Sequence, residues 1–285
     1  MLDRRTLIAG TVALAAAPAV ARTRAEPELE AIRARTGGRL GVFALDTGSG
    51  RSLGLDAEAR YAMASTFKLP LAAAVLAEVD AGRCRLDEQV PFTTADLLEY
   101  APYVRANLQA KTLPIAGLAQ AAVEVSDNSA ANLLLPLIGG PAGLTRFARA
   151  HGDRTTRLDR NEPDLNANLT GDPRDTTTPA AMVGLLRRLL VGKALSPASR
   201  EMLIRWLVAC ETGKARLRAG LPKDWRAGDK TGTGARGAAN DVAILWPPRR
   251  PPILVACFVD AEDAKPAARD AAHAAVGALV ARRFA

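Results

Sequence analysis

Histidine, cysteine and aromatic residues are scarce in this chain, and each scarcity narrows its chemistry. Its 285 residues include two His, His151 and His273, and three Cys, Cys84, Cys210 and Cys257. None stands at metal-ligand spacing, so no metal and no cofactor are expected. The odd Cys count allows at most one internal disulfide, and nothing in the spacing predicts it. Aromatics make up only 4% of the chain, too few for base stacking, and the Arg residues are scattered rather than gathered into a basic block. The net charge of +8 therefore reads as a solvated surface with a mild preference for anions, and no nucleic-acid partner is expected. No segment after the leader is apolar for long enough to span a membrane, so no stable membrane association is expected.

What is present reads as a globular chain. Apolar residues make up 48% and charged residues 24%, enough for one large domain or two smaller ones. Residues 1–21 read as an export signal. Arg4-Arg5 precedes Thr6-Leu7-Ile8 and an Ala-rich apolar stretch, and Ala19-Val20-Ala21 is a small-x-small cleavage site. The paired arginines suggest the twin-arginine route; an ordinary secretory signal with two arginines is the plainer reading. Either way the protein is expected to be exported, to the periplasm or beyond.

Taken in order, Glu26 to Arg35 reads as an amphipathic helix, and Arg39–Asp46 and Ser52–Leu55 as a hairpin. Gly50-Arg51-Ser52-Leu53-Gly54 matches the G-x-S-x-G nucleophile elbow. That elbow needs a strand before it and a helix after it; here a turn precedes and a strand follows, so the match is rejected. From Leu69 to Ala209 helical patterns dominate, broken by Asp153 to Thr178, a long polar stretch. Loops of that length are usually functional or disordered. Pro179 to Leu190 reads as a helix with Thr178 as its cap. Trp225–Gly232, Asn240–Trp246 and Ile253–Val259 read as three successive strands, and Ala264 to Ala281 as a closing helix. An early hairpin that joins late strands in one antiparallel sheet implies a discontinuous domain with a helical insertion.

Ser65-Thr66-Phe67-Lys68 opens the apolar run Leu69 to Val79. Ser65 is expected at a helix N-terminus, with Lys68 one turn on. A Lys whose pKa is lowered by burial can take the proton of a weakly nucleophilic Ser. The plain alternative is a Ser cap and a surface Lys, since about one S-x-x-K arises by chance in a chain this long. Three further motifs follow in order: Ser126-Asp127-Asn128 between two helical runs, Glu162-Pro163-Asp164-Leu165-Asn166 in the long loop, and Lys230-Thr231-Gly232 at a strand end. Singly, each fits a cap, a loop polar or a core residue. In this order they form one constellation.

The constellation resembles the class A serine β-lactamases, and the resemblance covers nearly the whole mature chain. It implies an α/β fold, a five-stranded antiparallel sheet flanked by terminal helices with an inserted all-α domain. The expected division is 22–61 with 205–285 for the first and 62–204 for the second, the Glu-bearing loop being 157–175. It implies a monomer acting on a small-molecule β-lactam. By the same resemblance Ser65 would attack the lactam carbonyl, with its own N–H and that of Thr233 as oxyanion hole. Lys68 would share in proton transfer and Ser126 would protonate the departing nitrogen beside Lys230. Glu162, helped by Asn166, would activate the deacylating water. Asn128 would bind the substrate amide, Tyr100 would wall the cleft, and Lys230, Thr231, Gly232 and Thr233 would line the carboxylate site. Arg160 and Asp175 resemble a pair that ties the loop ends, and the Glu162-Pro163 bond is cis in relatives.

The chain also departs from the pattern. Many members carry an Arg shortly after K-T-G; here Ala238-Ala239-Asn240 stands there. Arg216 is the expected substitute, with Arg218 as competitor. Ala64 and Gly234 are not Cys, so the disulfide of some carbapenem-hydrolysing relatives is absent. A D,D-peptidase would share three motifs but lack the Glu loop. A β-lactam sensor would be acylated once and would need a membrane tether.

Overall fold

A computed structural model describes residues 27–285; the expected leader at 1–21 lies outside the described residues. The strands are β1 (Arg39–Asp46), β2 (Ser52–Leu55), β3 (Tyr61–Ala62), β4 (Gln89–Pro91), β5 (Thr112–Pro114), β6 (Thr176–Thr177), β7 (Arg226–Thr233), β8 (Ala238–Trp246) and β9 (Ile253–Asp260). The helices are α1 (Pro27–Thr36), α2 (Lys68–Asp80), α3 (Pro102–Ala106), α4 (Ile115–Glu124), α5 (Asn128–Leu134), α6 (Gly140–Ala150), α7 (Pro179–Leu186), α8 (Pro197–Ala209) and α9 (Pro266–Phe284). None of those described is long and apolar enough to cross a membrane.

The expected sheet is present: five antiparallel strands in the order β2-β1-β9-β8-β7. The early hairpin joins the late strands through β1–β9. Strands β8 and β9 read as nearly continuous apolar runs because both of their faces are covered. Ile253, Val255, Cys257 and Val259 face a core shared with α1 and α9. Leu254, Ala256 and Phe258 face a second core shared with the helical segments. One strand thus feeds two cores through its period of two.

At the centre of the helical part lies α2. Lys68 to Leu76 are all buried, as expected of a helix apolar all round. The one charged residue in that run is Lys68. Some local expectations need correction. Ser65 lies near the N-terminus of α2, as expected, but the alternative of a Ser cap fails: it sits in a 3-10 turn, Ala64–Phe67, that runs straight into the helix without a side-chain cap bond. The helix from Pro179 stays α-helical only to Leu186, then widens into a π turn over Arg187–Val191. That turn closes through Gly192 N–H on Arg187 O at 2.8 Å. A Cβ on Gly192 would meet Arg188 O at 2.8 Å, so glycine fits this stop. The expected division at 204–205 falls inside α8. Ser52 of the rejected elbow opens β2 and no helix follows it.

Candidate active site

Three segments converge on Lys68. The 3-10 turn presents Ser65, the α4–α5 junction presents Ser126 and Asn128, and the long loop presents Glu162. Lys68 Nζ donates to Ser65 Oγ at 3.0 Å, Ser126 O at 2.8 Å and Asn128 Oδ1 at 2.5 Å. It also lies 3.0 Å from Glu162 Oε1 and 3.4 Å from Ser126 Oγ. Burial pushes the Lys68 ammonium below its ordinary value, while the Glu162 and Asp127 carboxylates oppose that shift. Ser65 Oγ donates to Glu162 Oε1 at 3.4 Å.

The second lysine enters from the sheet. Lys230 on β7 donates to Ser126 Oγ at 3.0 Å and to Thr231 O at 2.8 Å. Burial pushes its pKa down to about 8, and the Lys68 charge adds to the shift. Gly232 lets β7 pass close to the Ser65 turn: a Cβ there would lie 2.7 Å from Met63 O and 3.1 Å from Ser65 N. Ala64 and Ser126 hold positive φ, 43° and 60°, which non-glycine residues keep only where the surroundings impose it.

Each segment has a visible restraint. Asp127 caps α5 through Ala130 N–H at 2.8 Å, and its other oxygen accepts from Tyr103 and Val104 N–H. Asn132 grips the Glu162 backbone twice, donating to Glu162 O at 2.8 Å and accepting from Glu162 N–H at 3.0 Å. Asn240 donates to Ala62 O and Met63 O ahead of Ser65. Sequence reasoning gave these three no role in the site. Asp127 alone carried a signal, as an acidic residue immediately before a helix. The loop ends meet where Arg160 Nε donates to Asp175 Oδ2 at 2.5 Å, and the Glu162-Pro163 bond is cis. Asn166 Nδ2 donates to Glu162 Oε2 at 2.5 Å, and its buried Oδ1 has no partner.

Arg216 donates to Gly232 O at 2.8 Å, Asn240 O at 2.6 Å and Thr233 Oγ1 at 2.7 Å, and pairs with Asp270 at 3.0 Å. Arg218 instead pairs with Asp229 and donates to Leu207 O and Val208 O. Thr231 Oγ1 is engaged by Thr212 Oγ1 at 2.5 Å. Tyr100 joins through its backbone, which accepts from Asn128 N–H at 3.0 Å, while the residue is 53% exposed. A cavity of about 650 Å3 opens beside Asn166, Thr233 and Gly234. It is large enough for a small molecule.

Residues 24–284 match the model of the β-lactamase enzyme family. The chain is 46% identical over 244 residues to β-lactamase AST-1 of Nocardia asteroides, covering 85% of this chain and 78% of that protein. It is 41% identical over 259 residues to β-lactamase CTX-M-97 of Escherichia coli, covering 91% and 89%. A solved structure of an ancestral class A β-lactamase superposes with a TM-score of 0.90 at 52% identity, covering 92% of this chain and all of that one. The family match over residues 24–284, the relatives above 40% identical and the superposed class A fold agree: the chain belongs to the class A β-lactamase family.

Proposed function

We propose that this enzyme hydrolyses the amide bond of penicillins and cephalosporins through an acyl-enzyme on Ser65, and so gives β-lactam resistance. Ser65 Oγ attacks the lactam carbonyl carbon and its proton passes to Lys68 or Glu162, both within reach. The N–H groups of Ser65 and Thr233 stabilise the oxyanion. The C–N bond then breaks, and Ser126 gives its proton to the nitrogen and regains one through Lys68 or Lys230. Lys230, Thr231, Gly232, Thr233 and Arg216 receive the substrate carboxylate. Asn128 holds the side-chain amide and Tyr100 walls the cleft. In the second stage a water between Glu162 and the free Oδ1 of Asn166 loses a proton to Glu162 and attacks the ester. Ser65 leaves with a proton.

One observation carries the hydrolase reading over an enzyme that stays acylated. Glu162 directs Oε1 at Ser65 Oγ, 3.4 Å away, while Asn166 holds Oε2. A D,D-peptidase or a sensor has no use for a base there. The same reading makes the protein an exported, periplasmic or secreted monomer that needs no cofactor.

The test removes the base. Glu162→Ala is expected to slow deacylation by about 10²–10⁴ and acylation far less. Mass spectrometry with a penicillin then shows a long-lived adduct on Ser65, while the parent enzyme sustains turnover of a chromogenic cephalosporin. Parent-like turnover in the variant sinks the role given to Glu162. Loss of both adduct and turnover in a folded variant makes Glu162 necessary for acylation as well.

A further inference from the structure

Against the Glu-bearing loop lies a second cavity of about 360 Å3, which shares Arg160 with the cleft-side cavity but none of the candidate catalytic residues. We propose that it binds a tetrahedral oxyanion, inorganic phosphate or a phosphomonoester, between the sheet and the loop. Tyr61 supplies the first reason. Its residue is 3% exposed and its hydroxyl has no hydrogen-bond partner. The ring cannot turn away. It stacks on Phe258 with centroids 5.8 Å apart, lies over Gly41, and carries the Arg39 guanidinium 4.3 Å above it. Burial raises the phenol pKa, so the group stays protonated and donates. An orphaned buried donor is costly, and an acceptor in the cavity removes that cost.

Charge and direction supply the second reason. Arg39, Arg60, Arg160 and Arg174 line the cavity against two carboxylates, Asp172 and Asp260. Arg174 and Arg160 share Asp172 at 2.8 and 3.9 Å, and Arg39 reaches Asp260 at 3.4 Å. Arg160 also pairs with Asp175 at 2.5 Å, Arg60 donates to Thr155 O and Thr176 Oγ1, and Arg39 donates to Arg60 O. Each guanidinium offers five N–H donors, so donors remain after these bonds. Tyr61, Arg39 and Arg60 come from the sheet side, Arg160 and Arg174 from the two ends of the loop. Donors from separate chain segments suit the corners of a tetrahedral anion better than a planar carboxylate. A bound anion would bridge sheet to loop beside the existing link from Asn168 Nδ2 to Asp260 Oδ1 at 3.0 Å. It would hold the segment 168–174 closed, since a ligand of the folded form suppresses opening.

The experiment titrates inorganic phosphate into the full chain by calorimetry and follows hydrogen exchange over 168–174, with acetate at equal ionic strength as comparison. Saturable phosphate binding that slows exchange in this segment is expected, with no such slowing by acetate. Tyr61→Phe keeps the ring and deletes only the donor; it should weaken binding about tenfold. Arg174→Gln, an exposed change that leaves the Tyr61 packing intact, should weaken it too. No saturable binding, equal protection by acetate, or parent-like affinity in both variants overturns the proposal. So does binding that Arg216→Ala abolishes and Tyr61→Phe leaves unchanged, because the anion would then lie in the cleft.

Discussion

Two buried polar clusters flank β7, one on each face, and they are satisfied in different ways. On the cleft face two buried lysines each meet oxygens: Lys230 at Ser126 and Thr231, Lys68 at Ser65, Ser126, Asn128 and the Glu162 carboxylate. On the opposite face stand Asp229 and Asp241, with His273 of α9. Each leaves one polar atom without a partner: Asp229 Oδ2, Asp241 Oδ1 and His273 Nδ1. Burial pushes both kinds of charge toward neutrality, lowering the lysines and raising the two carboxylates. Under the proposed mechanism the cleft cluster holds titratable protons beside acceptors that could pass them on. In the far cluster Asp229 pairs with Arg218, Asp241 accepts from Leu217 N–H, and His273 Nε2 faces Ala239 O. Near-neutrality alone does not mark a functional site; the surrounding acceptors decide.

The two arginines test this contrast most severely. Arg218 pairs with Asp229 on the far face, so Arg218→Ala should destabilise the fold by about 3–5 kcal/mol, read as a lowered urea midpoint. Combining Arg218→Met with Asp229→Asn should recover most of that loss, because the buried carboxylate goes with its partner. Arg216 borders the far-face cluster too, where its charge acts on Asp241 and His273, but it also reaches Thr233 Oγ1. Arg216→Ala should therefore cost about 1.5–3 kcal/mol in kcat/KM for substrates whose carboxylate it holds, with a smaller loss of stability. Equal, small kinetic effects from both changes would remove Arg216 from the site and blur the distinction between the faces.

Titration sharpens the contrast further. With the Lys230 pKa at about 8, the free enzyme loses this cation as pH rises through that value. The kcat/KM for anionic substrates should then fall about tenfold per pH unit. Saturating substrate should protect kcat, since a bound carboxylate favours the ammonium. A flat kcat/KM profile from pH 7 to about 9.5 would show that Lys230 does not attract the substrate carboxylate.

The smallest effect belongs to His273. Its Nε2 faces Ala239 O at 3.0 Å, and burial pushes its pKa down from 6.5 to about 3. Between these values the unfolded chain takes up a proton that the folded chain refuses, so this residue lowers stability as pH falls through that window. Asp229 and Asp241, with raised pKa values, act in the opposite sense. His273→Leu should therefore make the acid-side loss of stability shallower without moving kcat at pH 7. Denaturant midpoints at several pH values measure both.

Much of this was legible in one dimension because the signals are local. Short apolar runs bounded by Gly, Pro and polar breaks located β1, β2, β8 and β9 to within a residue or two, and Thr178-Pro179 announced the start of α7. Motif order was enough to bring Ser65, Ser126, Glu162 and Lys230 under one template. Even the two faces of β7 follow from the adjacency of Asp229 and Lys230, since neighbours in a strand point apart. Other features needed the third dimension. Arg216 and Arg218 lie two residues apart with the same chemistry, and only the turn at Leu217–Gly220 directs one to the cleft rim and the other to Asp229. Asn132 looks like any polar residue of α5 until the loop folds back and presents the Glu162 peptide to it. Residue type and spacing set what each segment can form alone. Which side chains meet across 30 to 100 residues of chain depends on how the two cores pack against the sheet, and that packing decided the rest.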